Sequence, residues 1–432
     1  MSSETRNVTW QIAKAPQIVT ASPSTISVPV GSSESITLSF FGDGIASAQS
    51  SNTAVVTVSG SGTSFTVSGV GVGNATVMFR VSEGTNYQSG ALAVEATVVH
   101  GIVYVGVATP ISVGREKLAG ARAGNYALFA GGYNTTSPAY YSTVDSYDTD
   151  LTHAVAENLA VGREDLSGAT AGDLAVFAGG YNSGSFHTNA VDVYSSDLAK
   201  ITPSAQFSLN RSSAATASNG NYAIFAGGYT GLIVNNVDAY DGLATHSTPT
   251  ALSLARYFSA GAVAGAVSIF AGGFSNSYTN VADWYNAELT RGTPTTISVA
   301  RGRLAGASTS SYAIFAAGYS IVNSTETLHG TVDAFDSNLT RQNPQEVTPR
   351  QYLAGAKTGD YAVFAGGQNA DSSEFFATAE AFDNALTKQT PEEMSAGRDK
   401  LAGATNGEHA LFAGGLGLIS PNYSSAVDVY LG

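Results

Sequence analysis

From Arg115 onward one phrase returns seven times, and whatever this chain folds into has to repeat with it. It reads REKLAGARAGNYALFAGGY, REDLSGATAGDLAVFAGGY, RSSAATASNGNYAIFAGGY, RYFSAGAVAGAVSIFAGGF, RGRLAGASTSSYAIFAAGY, RQYLAGAKTGDYAVFAGGQ and RDKLAGATNGEHALFAGGL. The leading arginines are Arg115, Arg163, Arg211, Arg256, Arg301, Arg350 and Arg398, spaced by 48, 48, 45, 45, 49 and 48 residues. A period of about 40 to 50 residues fits one four-stranded blade of a propeller, so seven copies predict seven blades.

Within a copy, the small-residue run Leu118–Ala121 suits an innermost strand, where blades crowd an axis. Tyr126–Ala130 is apolar on both faces, as a strand sandwiched between neighbours must be. Gly131 and Gly132 then allow a turn or a close approach without a Cβ. A third strand carries Val144, Asp145 and Tyr147, and a short Leu-Thr turn leads to an outer strand. No stretch keeps a helical period, so the class is all-β. The seventh copy stops at Val427–Tyr430 without an outer strand, whereas an orphan segment, Ile102 to Val113, precedes the first arginine. That segment is expected to supply the missing strand and close the ring, which removes an exposed edge.

The Phe-Ala-Gly-Gly strand followed by a spaced aromatic resembles the Kelch family of β-propellers, over residues 101–432. One departure is visible: a leucine (Leu151, Leu198, Leu243, Leu289, Leu339, Leu386) stands where Kelch repeats usually carry a tryptophan. Residues 1–100 lack the repeat and read as short alternating strands: Ile26–Val28, Ser35–Phe40, Ala54–Val58, Phe65–Val67, Thr76–Phe79 and Val94–Val98. The phrases VPVGSSESITL, SSNTAVVTVSG and VSGVGVGNATVMFRV resemble bacterial Ig-like domains of group 2, which implies a β-sandwich over 16–100. Residues 1–15 read as an N-terminal arm or linker strand, with the boundary at His100 and Gly101. The expected architecture is therefore an Ig-like sandwich followed by a seven-bladed Kelch-like propeller closed by an N-terminal strand.

Comparing the copies with one another locates the variation. From the arginine to the middle of the Ala-Gly-Gly triplet is 16 residues in every copy, with Ala317 there in the fifth. From that position to the following acid the gap runs 14, 13, 11, 11, 16, 14 and 14. Length tolerance thus falls in one loop per blade, and such loops often form the binding face. The loops are rich in Asn, Ser, Thr and aromatics, the chemistry of sugar recognition and of antibody-like surfaces. Tyr140, Tyr141, Phe186, Tyr278, Phe375, Phe376 and Tyr423 are the ligand-binding candidates; capping the apolar ends of blades is the competing role for each.

Each arginine has an acid to match it: Asp145, Asp192, Asp238, Asp283, Asp333, Glu380 and Asp428. The one-to-one count fits a structural ring of ion pairs, and the alternative is a clamp for an anionic glycan or phosphate. The net charge of −14, from 33 acids against 19 bases, argues against nucleic acid as partner. Cysteine is absent, which excludes disulfides, thiolate metal sites and a galactose-oxidase-type cross-link. The six histidines form no spaced metal pair, and His409 reads as packed. No nucleophile elbow, phosphate loop or His-Glu-x-x-His motif occurs, and Gly69–Gly73 reads as a turn. No metal, cofactor or enzymatic activity is expected.

The start, MSSETRNVTW, lacks the basic and apolar regions of a secretory signal, and no apolar run reaches the ~18 residues of a membrane span. Ig-like and propeller modules that work outside a cell, without an export signal, point to a bacteriophage particle. The expected function is a non-enzymatic virion protein: head decoration, head fibre or tail-associated adhesin. Its Ig-like domain and arm would attach to other virion proteins, and its propeller loops would engage host-surface or mucus glycans. The alternatives are a bacterial cell-surface adhesin and, behind it, a glycan-active hydrolase.

Overall fold

The computed structural model describes residues 13–30, 33–99, 101–137, 139–184, 186–418 and 422–432. The described residues form strands and no helix, and the fold is all-β. The chain divides into two compact units, Met1–Gly101 and Ile102–Gly432. Most of the expected arm (1–12) and the expected boundary residue His100 lie outside the described residues.

Among the described residues the first unit holds eight strands: β1 (Thr20–Ser22), β2 (Ile26–Pro29), β3 (Ser33–Ser39), β4 (Ala46–Ser50), β5 (Val56–Ser61), β6 (Ser64–Gly69), β7 (Gly73–Val81) and β8 (Gly90–Val99). They make two four-stranded sheets, ordered β1-β3-β6-β5 and β2-β8-β7-β4. Alternate residues point into one core, where Ile36, Phe65, Val67, Val77, Phe79 and Val94 are buried, and the Phe65 and Phe79 rings meet edge to face at 5.3 Å. Sequence reading missed β1 and β4, because Thr-Ala-Ser and Ala-Ser-Ala-Gln-Ser carry almost no apolar alternation. It also began the fifth strand two residues early: Ala54 and Val55 lie in the turn before Val56.

The second unit contains seven four-stranded sheets, one per sequence copy. Sheet one shows the plan: Ala119–Ala123, Tyr126–Ala130, Val144–Tyr147 and His153–Ala156, each antiparallel to the next. The inner strand of every sheet packs against the inner strand of the next, and the seventh against the first, so the series closes into a ring. Glycine at the second position of the inner strand permits that approach. A Cβ on Gly355 would lie 2.3 Å from the Gly306 carbonyl oxygen, and one on Gly306 equally close to that of Gly261. Thr216 replaces this glycine in sheet three. The outer strand of sheet seven is β9 (Val103–Ala108), which pairs antiparallel with Val427–Leu431.

Two local departures have simple causes. The long fifth loop is a hairpin, Tyr319–Val322 with Thr325–Leu328, turning at Asn323 and Ser324, both with φ above zero as a two-residue hairpin turn requires. The repeated leucine before each outer strand also has positive φ, at Leu151, Leu198, Leu289, Leu339 and Leu386, but in sheet three the residue in that conformation is Ala244. Leu243, aligned by residue type, instead stands 85% exposed one position earlier.

Candidate functional site

The arginine repeat forms the frame beneath the site. All seven guanidinium groups are at most 1% exposed. Six pair with the acid of their own copy at 2.5–2.9 Å, and Arg398 pairs with Asp428. Each also donates from an Nη to the carbonyl of the phenylalanine 14 residues on, from Phe129 in the first copy to Phe412 in the last. Arg115, Arg301 and Arg350 add an Nε bond to the carbonyl 16 residues on. The invariant spacing is therefore the reach of one side chain along the second strand. So buried, these arginines offer nothing to a ligand.

Each acid has a second partner that sequence reading missed. It stands eight residues later, His153, Lys200, His246, Arg341 and Lys388 on the outer strand and Arg291 on a bridge just before it. In sheet seven, where β9 is the outer strand, Tyr104 donates to Asp428 at 2.6 Å. Two of the histidines thus belong to this frame, and His409 is buried beside Asn406. Burial alone would raise the carboxyl pKa of Asp145, Asp238, Asp283 and Glu380, but the facing arginine and hydrogen bonds outweigh it and hold all four below normal. Such groups stabilise the fold fully above their unfolded pKa, about 4, and lose that contribution as pH falls through the lower folded value. The ring is accordingly expected to unfold steeply below about pH 4, with proton uptake. A circular-dichroism titration showing no loss down to pH 2 would overturn this.

Above the frame, a cavity of about 500 Å³ is lined by all seven sheets. Its rim is the residue two after each arginine: Lys117, Asp165, Ser213, Phe258, Arg303, Tyr352 and Lys400. All seven are half-buried with φ between 49° and 56°, a left-handed backbone that non-glycine residues adopt at a cost. Backbone bonds hold the rim: Lys117 N–H donates to Lys400 C=O at 2.9 Å, Asp165 to Lys117, Ser213 to Asp165, Arg303 to Phe258, Tyr352 to Arg303 and Lys400 to Tyr352. This position differs chemically around the ring, as does the one before it, while the arginine two residues earlier never changes. It is where one repeat becomes a site with distinct sides.

The rim cations reach sideways. Lys117 donates to Glu164 at 2.9 Å, Lys400 to Glu116 at 3.2 Å, and Arg303 to Gln351 at 2.8 Å, always onto the following sheet. Asp399 occupies the equivalent acceptor place, but the preceding rim residue is Tyr352. Its two carboxylate oxygens have no hydrogen-bond partner among the described residues, and Lys400 Nζ is 3.8 Å away. Burial pushes its pKa up to about 7, against the pull of Lys400.

Outside the rim runs a belt of ten rings: Tyr423, Tyr133, Tyr140, Tyr181, His187, Tyr229, Tyr257, Phe274, Tyr278 and Tyr319. Consecutive centroids are 5.2–6.3 Å apart, within the range of favourable edge and offset contacts. Of the candidate residues, Tyr140, Tyr278 and Tyr423 belong to this belt. Phe375 bridges Gln368, where the belt is interrupted, and Phe376 follows it, half-buried. Tyr141 is only 8% exposed and donates to Asn134 Oδ1 at 3.0 Å, so it packs its loop. Phe186 stands 70% exposed outside the belt; the residue in register is His187, which bridges Tyr181.

Comparison with known proteins adds the fold. No protein-family model and no curated protein matches this chain. Among solved structures, that of YjhT is similar at 12% identity and a TM-score of 0.51, covering 66% of this chain and 99% of that one. At that identity the likeness concerns the fold alone. Among the described residues no three His, Asp or Glu side chains cluster as metal ligands would.

Proposed function

We propose that residues 102–432 are a seven-bladed Kelch-like β-propeller, that the first unit is an Ig-like module, and that the protein is a non-catalytic recognition protein. The belt of ten aromatic rings carries this reading. Apart from the buried Tyr319, its rings are partly exposed beside loops rich in Asn, Ser and Thr, the combination that grips a sugar's apolar face while hydrogen-bonding its hydroxyls. The closed cycle of seven sheets and the likeness to YjhT support the propeller. The two facing sheets with one shared core support the Ig-like assignment.

Host-surface or mucus glycans are the proposed ligands, and a bacteriophage particle the proposed setting, with the Ig-like module as attachment piece. Tyr140→Ala and Tyr278→Ala are each expected to weaken binding to a glycan array about tenfold, the effect of a central interface tyrosine. Arrays bound equally by wild type and both variants would overturn the reading. Mass spectrometry of gradient-purified particles beside washed cell walls tests the setting: a stoichiometric chain in particles supports it, and recovery only on walls leaves an adhesin.

A further inference from the structure

We infer that the cavity beside Ser213, between Tyr229, Tyr257 and Phe258, is a binding site for a small organic ammonium group. This goes beyond glycan recognition and does not depend on it. The ring compared with itself makes the argument. In sheet five the rim residue is Arg303, whose guanidinium carbon lies 5.1 Å from the Phe258 ring of the preceding sheet, 5.1 Å from Tyr319 of its own and 4.8 Å from Tyr352 of the next. The fold thus builds a cation seat from three aromatic faces and fills it with its own side chain.

Ser213 holds the same place in sheet three, with the same φ of 54°. The counterparts of Arg303's neighbours surround it: Asp165 from the preceding sheet, Tyr229 from its own, Phe258 from the next, and Tyr257 in the place of Gln351. A serine is too short to fill this seat, and an open cavity of about 260 Å³ remains, lined also by Tyr181 and His187.

The lining favours a cation. Ring faces attract positive charge, most strongly when the group is poorly hydrated. Glu164 and Asp165 both line the cavity, with Lys117 at 2.9 and 3.7 Å from them; burial raises both carboxyl pKa values, so the three groups together carry at most one net negative charge and never a net positive one while either acid is ionised. His187 Nδ1 is buried without a hydrogen-bond partner among the described residues, and burial holds that imidazole below the usual histidine range, so it adds no opposing charge at neutral pH.

Choline is the probe, titrated calorimetrically into the full chain, with 3,3-dimethylbutan-1-ol as its uncharged isostere. Saturable binding of choline with none of the isostere is expected. Phosphocholine distinguishes a free ammonium from one carried on a phosphate: equal affinity points to the first, tighter binding to the second. Ser213→Arg, which places a cation where Arg303, Lys117 and Lys400 have theirs, is expected to weaken choline binding more than about tenfold. Tyr229→Ala is expected to weaken it about tenfold, and Tyr229→Phe, which keeps the ring face, to change it less than about twofold. Melting temperatures of the variants guard against misfolding. Equal binding of the isostere, or undiminished binding by Ser213→Arg or by Tyr229→Ala, would overturn the inference. Four belt rings (Tyr181, His187, Tyr229 and Tyr257) also line this cavity, so glycan binding that survives Ser213→Arg separates the ammonium seat from glycan recognition.

Discussion

Replacing Arg301 by methionine is expected to lower the stability of the ring by about 3–5 kcal/mol, because it leaves Asp333 buried with its main counter-charge gone. Arg301 is fully buried and 2.9 Å from Asp333, while Arg341 approaches the same acid at 3.7 Å with its side chain 35% exposed. Arg341→Met is therefore expected to cost less than about 1 kcal/mol, as partly exposed pairs do. Urea denaturation of both variants reads the difference, and equal losses would sink the argument. Changing both members, Arg301→Met with Asp333→Leu, is expected to recover much of the loss, since no unpaired charge then remains inside. Such recovery would assign the arginine to geometry more than to net stabilisation.

Asp399 carries the opposite sign. Its folded pKa of about 7 lies above the unfolded value near 4, so between those pH values the folded state holds the extra proton. Stability therefore falls as pH rises through that window, and the penalty is complete above pH 7. Asp399→Asn removes it. The variant is expected to be more stable than wild type at pH 8, by an amount bounded at about 4 kcal/mol, with the gain shrinking toward pH 5. Thermal melts across pH 5–8 test this; a constant difference, or destabilisation at pH 8, would show that the carboxylate has partners of its own. Tyr352→Lys gives an independent check, since it puts an ammonium where Lys400 and Lys117 serve the neighbouring acids, and it is expected to stabilise at pH 8 as well.

How far the sequence could be read follows from what repeats. The arginine and phenylalanine recur at fixed spacing because one buried side chain spans them, and an acid follows in every copy at a distance that varies only with the loop between, so the frame was visible in seven copies. Its outer partner escaped notice because the position eight residues past the acid accepts His, Lys or Arg alike. In the loops, variable length destroys register: Phe186 is the obvious aromatic by type, yet His187 takes the ring position. Glycine and alanine next to Leu243 hid the turn register of sheet three in the same way. The rim went unread for a different reason. Lys, Asp, Ser, Phe, Arg, Tyr and Lys share no chemistry, and only the backbone angle common to all seven marks them as one position.

The pairing of β9 with Val427–Leu431 sets the order of events on the ribosome. Tyr104 and Asp428, hydrogen-bonded in the finished sheet, are 324 residues apart in the chain. Sheets one to six are each built from one contiguous stretch and can form as they emerge, at about 5–20 residues per second. Sheet seven cannot: its outer strand is among the first of the unit to be synthesised and has to wait, unpaired, for its partner. For roughly 15 to 70 s the nascent chain thus exposes one strand edge with no mate. Emergence of Val427–Leu431 from the ribosome, more than any slow local step, sets when that edge is covered.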